Sequence, residues 1–169
     1  MGSTDHLVRV VDLDSQVNVI LRGHGNIINS VAVKNTLTGG LIASASRDKT
    51  IRIWDVKSEK CTHVLMNHTE SVKSVAWAPD SSGVLASGSY DFDVILWNLN
   101  VPPDYVVGTL SKHHQGVGAL AWGKDGLVTG SWDGRVFLWE SVLDDVLRKE
   151  YQLDFWKPRG ITAEQCVSI

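Results

Sequence analysis

The chain has 169 residues, 43% hydrophobic and 21% charged, a balance that excludes a disordered chain and allows a core without disulfide staples. Its net charge of −3 excludes the global basic field of a nucleic-acid binder, so no direct nucleic-acid partner is expected. Seven tryptophans, against three Tyr and three Phe, are the unusual feature.

In chain order, Asp5–Asp12 opens with an aspartate followed by the mostly apolar run Leu7–Val11 and predicts a strand, a weaker copy of an aspartate-led run that recurs below. A four-run pattern then recurs three times. A first run precedes a histidine (Val17–Leu21, Cys61–Leu65, Tyr105–Leu110), and a second follows it (Ile28–Val33, Val72–Trp77, Val117–Trp122). A third precedes an aspartate (Leu41–Ser46, Val84–Ser89, Leu127–Ser131), and the fourth runs from that aspartate to a tryptophan. Gly39-Gly40, Pro79–Gly83 and Lys124–Gly126 supply turn chemistry between the second and third runs. The second run is small on one face (Ser30, Ala32; Ser74, Ala76; Ala119, Ala121). On the other it is large (Val31, Val33; Val75, Trp77; Leu120, Trp122), as stacked sheets require.

Asp5, Asp48, Asp91 and Asp133 follow one another at steps of 43, 43 and 42 residues. His24, His68 and His113 follow at steps of 44 and 45. With these spacings and the closing Trp54-Asp55, Trp97-Asn98 and Trp139-Glu140, residues 5–141 resemble the WD40-repeat family. Gly23-His24 matches its Gly-His dipeptide, which Asn67-His68 and Lys112-His113 do not. Two narrower likenesses are Gly23–Asn29, similar to Polycomb-group members that read methylated histone tails, and Val72–Pro79, similar to cytosolic iron–sulfur assembly members.

The resemblance implies an all-β fold, a partial WD40 β-propeller of three blades with a short helical and irregular C-terminal tail. A strand of a preceding blade would lie at 5–13, repeats near 14–56, 57–99 and 100–141, and the tail at 142–169. Val142, Leu143, Val146, Leu147 and Tyr151 at helical spacing predict a helix over 141–152, and 153–169 reads as irregular. The family also implies a structural hydrogen-bond network in each repeat. Its members would be His24, Ser44, Asp48 and Trp54; His68, Ser87, Asp91 and Trp97; and His113, Thr129, Asp133 and Trp139.

Three equivalent His/Ser/Asp sets at the repeat period fit architecture rather than catalysis, and the chain has no Gly-x-Ser-x-Gly elbow. No catalytic residue, metal ligand or cofactor is expected. The repeats differ just before each aspartate, at Arg47, Tyr90 and Trp132, types enriched in interaction hot spots. These are the partner-binding candidates, with Asn26, Ile27, Glu70, Ser71, His114 and Gln115 in the loops beside them.

The expected function is a non-catalytic scaffold mediating protein–protein binding within a larger complex. The alternative is a reader of histone or other peptide tails, with Tyr90 and Trp132 as an aromatic cage for methylated lysine. Cys61 and Cys166 are too few for a disulfide framework and read as free thiols in a reducing compartment. With no apolar run of roughly 18 residues and no signal-peptide pattern at Met1–Asp5, no membrane partner and a cytoplasmic or nuclear location are expected. Three repeats do not close a ring of about four to eight blades. The expected explanations are a piece of a longer propeller or completion by a second copy or another chain. An open array of sheets is the third.

Overall fold

The computed structural model describes residues 3–11, 18–36, 39–79, 83–140 and 159–161. The expected helix at 141–152, the rest of the tail with Trp156 and Cys166, and the centre of the Pro79–Gly83 turn lie outside the described residues.

The described elements are β-strands. β1 (Leu7–Val11) and β2 (Asn18–Arg22) pair antiparallel. Three four-stranded antiparallel sheets follow, each in chain order. The first is β3 (Ile28–Thr36), β4 (Gly39–Ser46), β5 (Ile51–Asp55) and β6 (Lys60–Leu65). The second is β7 (Val72–Trp77), β8 (Val84–Ser89), β9 (Val94–Asn98) and β10 (Val106–Leu110). The third is β11 (Val117–Trp122), β12 (Gly126–Ser131), β13 (Val136–Glu140) and β14 (Arg159–Ile161).

A sheet and a sequence repeat are one strand out of phase. The run before each histidine is the outer strand of the sheet before it: β2 pairs β1, β6 pairs β5 and β10 pairs β9. The third sheet takes its outer strand from Arg159–Ile161, within the stretch expected to be irregular; Phe137 faces Gly160 there.

The turn between third and fourth runs has one design. The aspartate carboxylate accepts from the backbone N–H two residues on: Leu7 at 3.1 Å, Thr50 at 3.0 Å, Asp93 at 3.2 Å and Arg135 at 2.9 Å. The residue between them is left-handed, with φ of 66° at His6, 72° at Lys49, 77° at Phe92 and 77° at Gly134. The aspartate bond holds a conformation that non-glycine residues otherwise avoid. The glycines expected as turns behave differently. Gly39 and Gly40 begin β4, paired with Thr36 and Asn35. Gly126 begins β12 at φ 149°, where a Cβ would lie 2.1 Å from the Trp139 carbonyl oxygen.

Each pair of neighbouring sheets encloses its own core. Val75 and Trp77 of the second sheet pack on Ala43, Ala45, Ile51 and Ile53 of the first. Leu120 and Trp122 of the third pack with Ala86, Val94 and Leu96 of the second. Val8 and Leu21 meet Ile42 and Trp54. Thus the large residues of β7 and β11 pack on the alanine-bearing face of the sheet before, whereas in β3 Val31 joins Val8 and Leu21 and Val33 is exposed. The indole N–H groups make the same crossing: Trp77 donates to the Ala32 carbonyl at 3.2 Å and Trp122 to the Ala76 carbonyl at 3.1 Å. β8 and β9, in the middle layer, are buried along their whole length.

Gly88 marks the closest approach, since a Cβ there would stand 2.7 Å from Val117 Cγ1 and 3.0 Å from Ser74 Oγ. Gly88→Ala should lower unfolding stability by about 1–3 kcal/mol through overpacking, and Val117→Ala in the same chain should recover part of the loss. Urea unfolding of the two variants checks this; a neutral Gly88→Ala would contradict it.

Candidate functional site

The described histidines before the inner strands sit where the chain crosses from the outer strand of one sheet to the inner strand of the next. There each imidazole meets the third and fourth runs. Trp54 Nε1–H donates to Ser44 Oγ at 2.8 Å, His24 Nε2 is 2.7 Å from the same oxygen, and His24 Nδ1 is 2.8 Å from Asp48 Oδ2. His68, Ser87, Asp91 and Trp97 repeat this at 2.8 Å throughout. His113, Thr129, Asp133 and Trp139 repeat it at 2.9–3.1 Å.

The donor inventory dictates the direction of these bonds. An ionised carboxylate only accepts, so Nδ1 carries the proton and Nε2 accepts from the hydroxyl, which accepts in turn from the indole. Each carboxylate also takes the backbone N–H after its histidine: Gly25 at 2.9 Å, Thr69 at 2.9 Å and His114 at 2.9 Å. The crossing segment is thereby tied to the turn beyond it, and its polar groups are satisfied where no strand pairs with them.

The titration of these groups agrees. Burial pushes the His24 imidazole below its ordinary 6.5, outweighing the pull of Asp48, and keeps the ring neutral. Burial pushes Asp48 up, but hydrogen bonds from Thr50, His24 and Gly25 overcome it and hold the carboxyl at about 2. Asp133 is held at about 2, with burial overcome by bonds from His114, Arg135 and His113. Asp91 is likewise lowered against burial, by His68, Thr69 and Asp93.

The repeats differ around the Gly-His dipeptide. Gly23 lies under Arg52, where a Cβ would be 2.9 Å from the guanidinium. The residues corresponding to Arg52 in the other sheets are Ile95 and Phe137, and the Phe137 ring lies 4.7 Å from that of His113 with planes tilted by 47°.

Arg47, Tyr90 and Trp132 point away from the relay and are exposed. Their backbone N–H groups bond the carbonyls of Ile27, Ser71 and Gly116 at 2.8, 3.0 and 3.1 Å, which fixes the rim. Tyr90 and Trp132 meet, with ring centroids 5.1 Å apart and planes tilted by 38°. Arg47 and Tyr90 both line a cleft of about 570 Å³, with Asn26, Ile27, Glu70 and Ser71 also in its wall. His114 and Gln115 are not in that wall, and Trp132 instead borders a second hollow with Gly118, Gly130 and Val136.

Sequence reasoning missed three members of this site. Lys73 holds its ammonium 4.7 Å from the Tyr90 ring centroid and 5.9 Å from that of Trp132. Gly116 and Gly118 let the rings lie flat. A Cβ on Gly116 would be 2.4 Å from Tyr90 Cδ1, and one on Gly118 would be 3.0 Å from the Trp132 indole. The signal was in the repeat alignment, where Ile27 and Ser71 match Gly116, and Asn29 and Lys73 match Gly118. Glycines stand only in the repeat that carries Trp132.

Comparison with known proteins places these repeats. The profile of the "WD40: WD domain, G-beta repeat" family matches residues 15–55, 59–98 and 105–140. The chain is 39% identical over 127 residues to a probable cytosolic Fe-S cluster assembly factor of Schizosaccharomyces japonicus, covering 73% of this chain and 20% of the relative. It is 32% identical over 141 residues to the ribosome biogenesis protein WDR12 homolog of Nematostella vectensis, covering 80% and 33%. It is 30% identical over 168 residues to the nuclear distribution protein PAC1 of Arthroderma otae, covering 94% and 34%. The chain therefore spans a fifth to a third of the length of these relatives.

The relay makes folding pH-dependent. His24 and Asp48 both have lowered folded pKa values, so the unfolded chain binds more protons and stability rises with pH. The His24 contribution is complete above the unfolded value of 6.5 and is lost as pH falls from there through the lowered folded value; that of Asp48 is lost from 3.8 down through about 2. Urea midpoints at about pH 7.5 and about pH 5.5 should show lower stability on the acid side. A higher acid midpoint would contradict the neutral relay.

Proposed function

The chain belongs to the WD40 repeat family, and on that premise we propose that it is a non-catalytic interaction module that docks protein or peptide partners on the rim formed by Arg47, Tyr90 and Trp132. The observation that carries this reading is the ring pair. Tyr90 is 44% and Trp132 52% exposed, yet both are seated on glycines by contacts rather than left free. Large, rigid, half-exposed aromatics give contact area with little further loss of side-chain freedom, which is the character of a binding hot spot.

The relay hydroxyls support a non-catalytic role. Ser44, Ser87 and Thr129 are fully buried, and each already accepts an indole N–H, so no substrate carbonyl can reach them. The names of the relatives point to diverse assemblies, and one is described as cytosolic, which fits work in the cytoplasm or nucleus. The reading as a reader of methylated lysine meets an obstacle. The ammonium of Lys73 already lies over both rings, in the place a methylated lysine would take.

A comparison of proteins captured from cell extract by the intact chain and by the Tyr90→Ala/Trp132→Ala double variant tests the reading. Circular dichroism establishes that the variant keeps its fold. A defined set of polypeptides should be lost with the rings; identical capture by both would place partner binding elsewhere.

A further inference from the structure

The rim cleft carries a charge opposite to that of the chain. Arg47, Lys49 and Lys73 line it against a single acidic residue, Glu70, in a protein whose net charge is −3. Lys49 is engaged, with its ammonium bonded to the Thr69 carbonyl at 2.6 Å and to Glu70 at 3.3 Å, so the one carboxylate in the wall is already compensated. Two cationic groups remain.

These two differ in preparation. Lys73 is half-buried, with its ammonium over Tyr90 and Trp132 and a long contact of 3.5 Å to Asn29 Oδ1. The Asn29 side chain is itself fixed, donating to Ser71 Oγ at 3.1 Å and to the Val72 carbonyl at 2.7 Å. The Lys73 stem has therefore lost most of its rotamer freedom before any ligand arrives, while its N–H groups keep donor capacity. Arg47 is exposed, and its guanidinium has no side-chain partner among the described residues. A planar fork and a seated ammonium lining the same cleft supply two cationic points for carboxylates, with the aromatic pair as an apolar shelf beside them.

We propose that the partner segment docked on this rim is an acidic peptide, whose carboxylates pair with Arg47 and Lys73 while an adjacent apolar side chain lies on Tyr90 and Trp132. This rests on the rim being the docking surface proposed above, and it names the chemistry of what docks there. Lys73 then has a positive role: it turns a ring pair that would attract a cation into one that attracts an anion.

Fluorescence anisotropy with a labelled peptide of alternating glutamate and leucine, against the same peptide with glutamine for glutamate, tests the assignment on the full chain. The glutamate peptide should bind about tenfold or more tightly than the glutamine peptide, and its binding should weaken as salt rises from about 50 to about 300 mM. Arg47→Ala and Lys73→Ala should each weaken it about fivefold or more, whereas Lys60→Ala, at an exposed lysine of β6 outside both hollows, should leave it unchanged. Equal binding of the two peptides, no binding of the glutamate peptide, or indifference to Arg47→Ala and Lys73→Ala would overturn the proposal. If the glutamate peptide fails while the double aromatic variant still loses its captured proteins, only the acidic assignment falls. If the aromatic variant captures the same proteins, the rim reading itself falls.

Discussion

A chain that builds stacked sheets must repeatedly leave the outer edge of one and enter the inner strand of the next. Its backbone groups have no ladder partner during that crossing, and an unpaired buried polar group costs about 1–3 kcal/mol. In this protein an imidazole at each crossing before the three large sheets is held between a carboxylate in a turn and a hydroxyl on a strand, and the carboxylate also takes the next backbone N–H. The tryptophan completes the chain of donors from the following strand. The relay thus settles where the crossing lands, and with it the position of the inner strand and the rim residue beside the aspartate.

The packing follows from that placement. Once β7 and β11 are set, their large residues pack on the alanine-bearing face of the preceding sheet, and the indoles of Trp77 and Trp122 reach back to the carbonyls of Ala32 and Ala76. The cores are separate layers rather than one mass, so each sheet is stabilised chiefly by its neighbours, as in other repeat architectures. The rim inherits its precision from the same source. Tyr90 and Trp132 belong to turns held by Asp91 and Asp133, and for that reason two exposed rings can stand in register over Gly116.

Most of the relay was legible because its members are chemically distinctive and recur at a fixed period. The phase of the sheets was not. Alternation looks the same whether the run before His68 pairs with Trp97's strand or with Trp54's, and only the register of Cys61 opposite Trp54 decides it. Arg159–Ile161 carries no strand pattern of its own, because a three-residue outer strand takes its hydrogen bonds from β13 and needs no alternation. Gly39 and Gly40 read as a turn because glycine signals one, yet they begin a strand. Lys73 was overlooked because a charged residue in an alternating strand reads as solvent-facing. Its place over two rings depends on residues 17 and 59 positions further along, which no local pattern connects.

The central claim is that each relay acts as one unit. Ser87 and Asp91 make no hydrogen bond to each other and are joined through the two nitrogens of His68. A double-mutant cycle of Ser87→Ala and Asp91→Ala, measured by equilibrium urea unfolding, tests it most directly. The account predicts a coupling energy of about 0.5–3 kcal/mol, because losing either partner releases the imidazole from both. Effects that add to within about 0.3–0.5 kcal/mol would contradict it, and would reduce the relay to independent contacts.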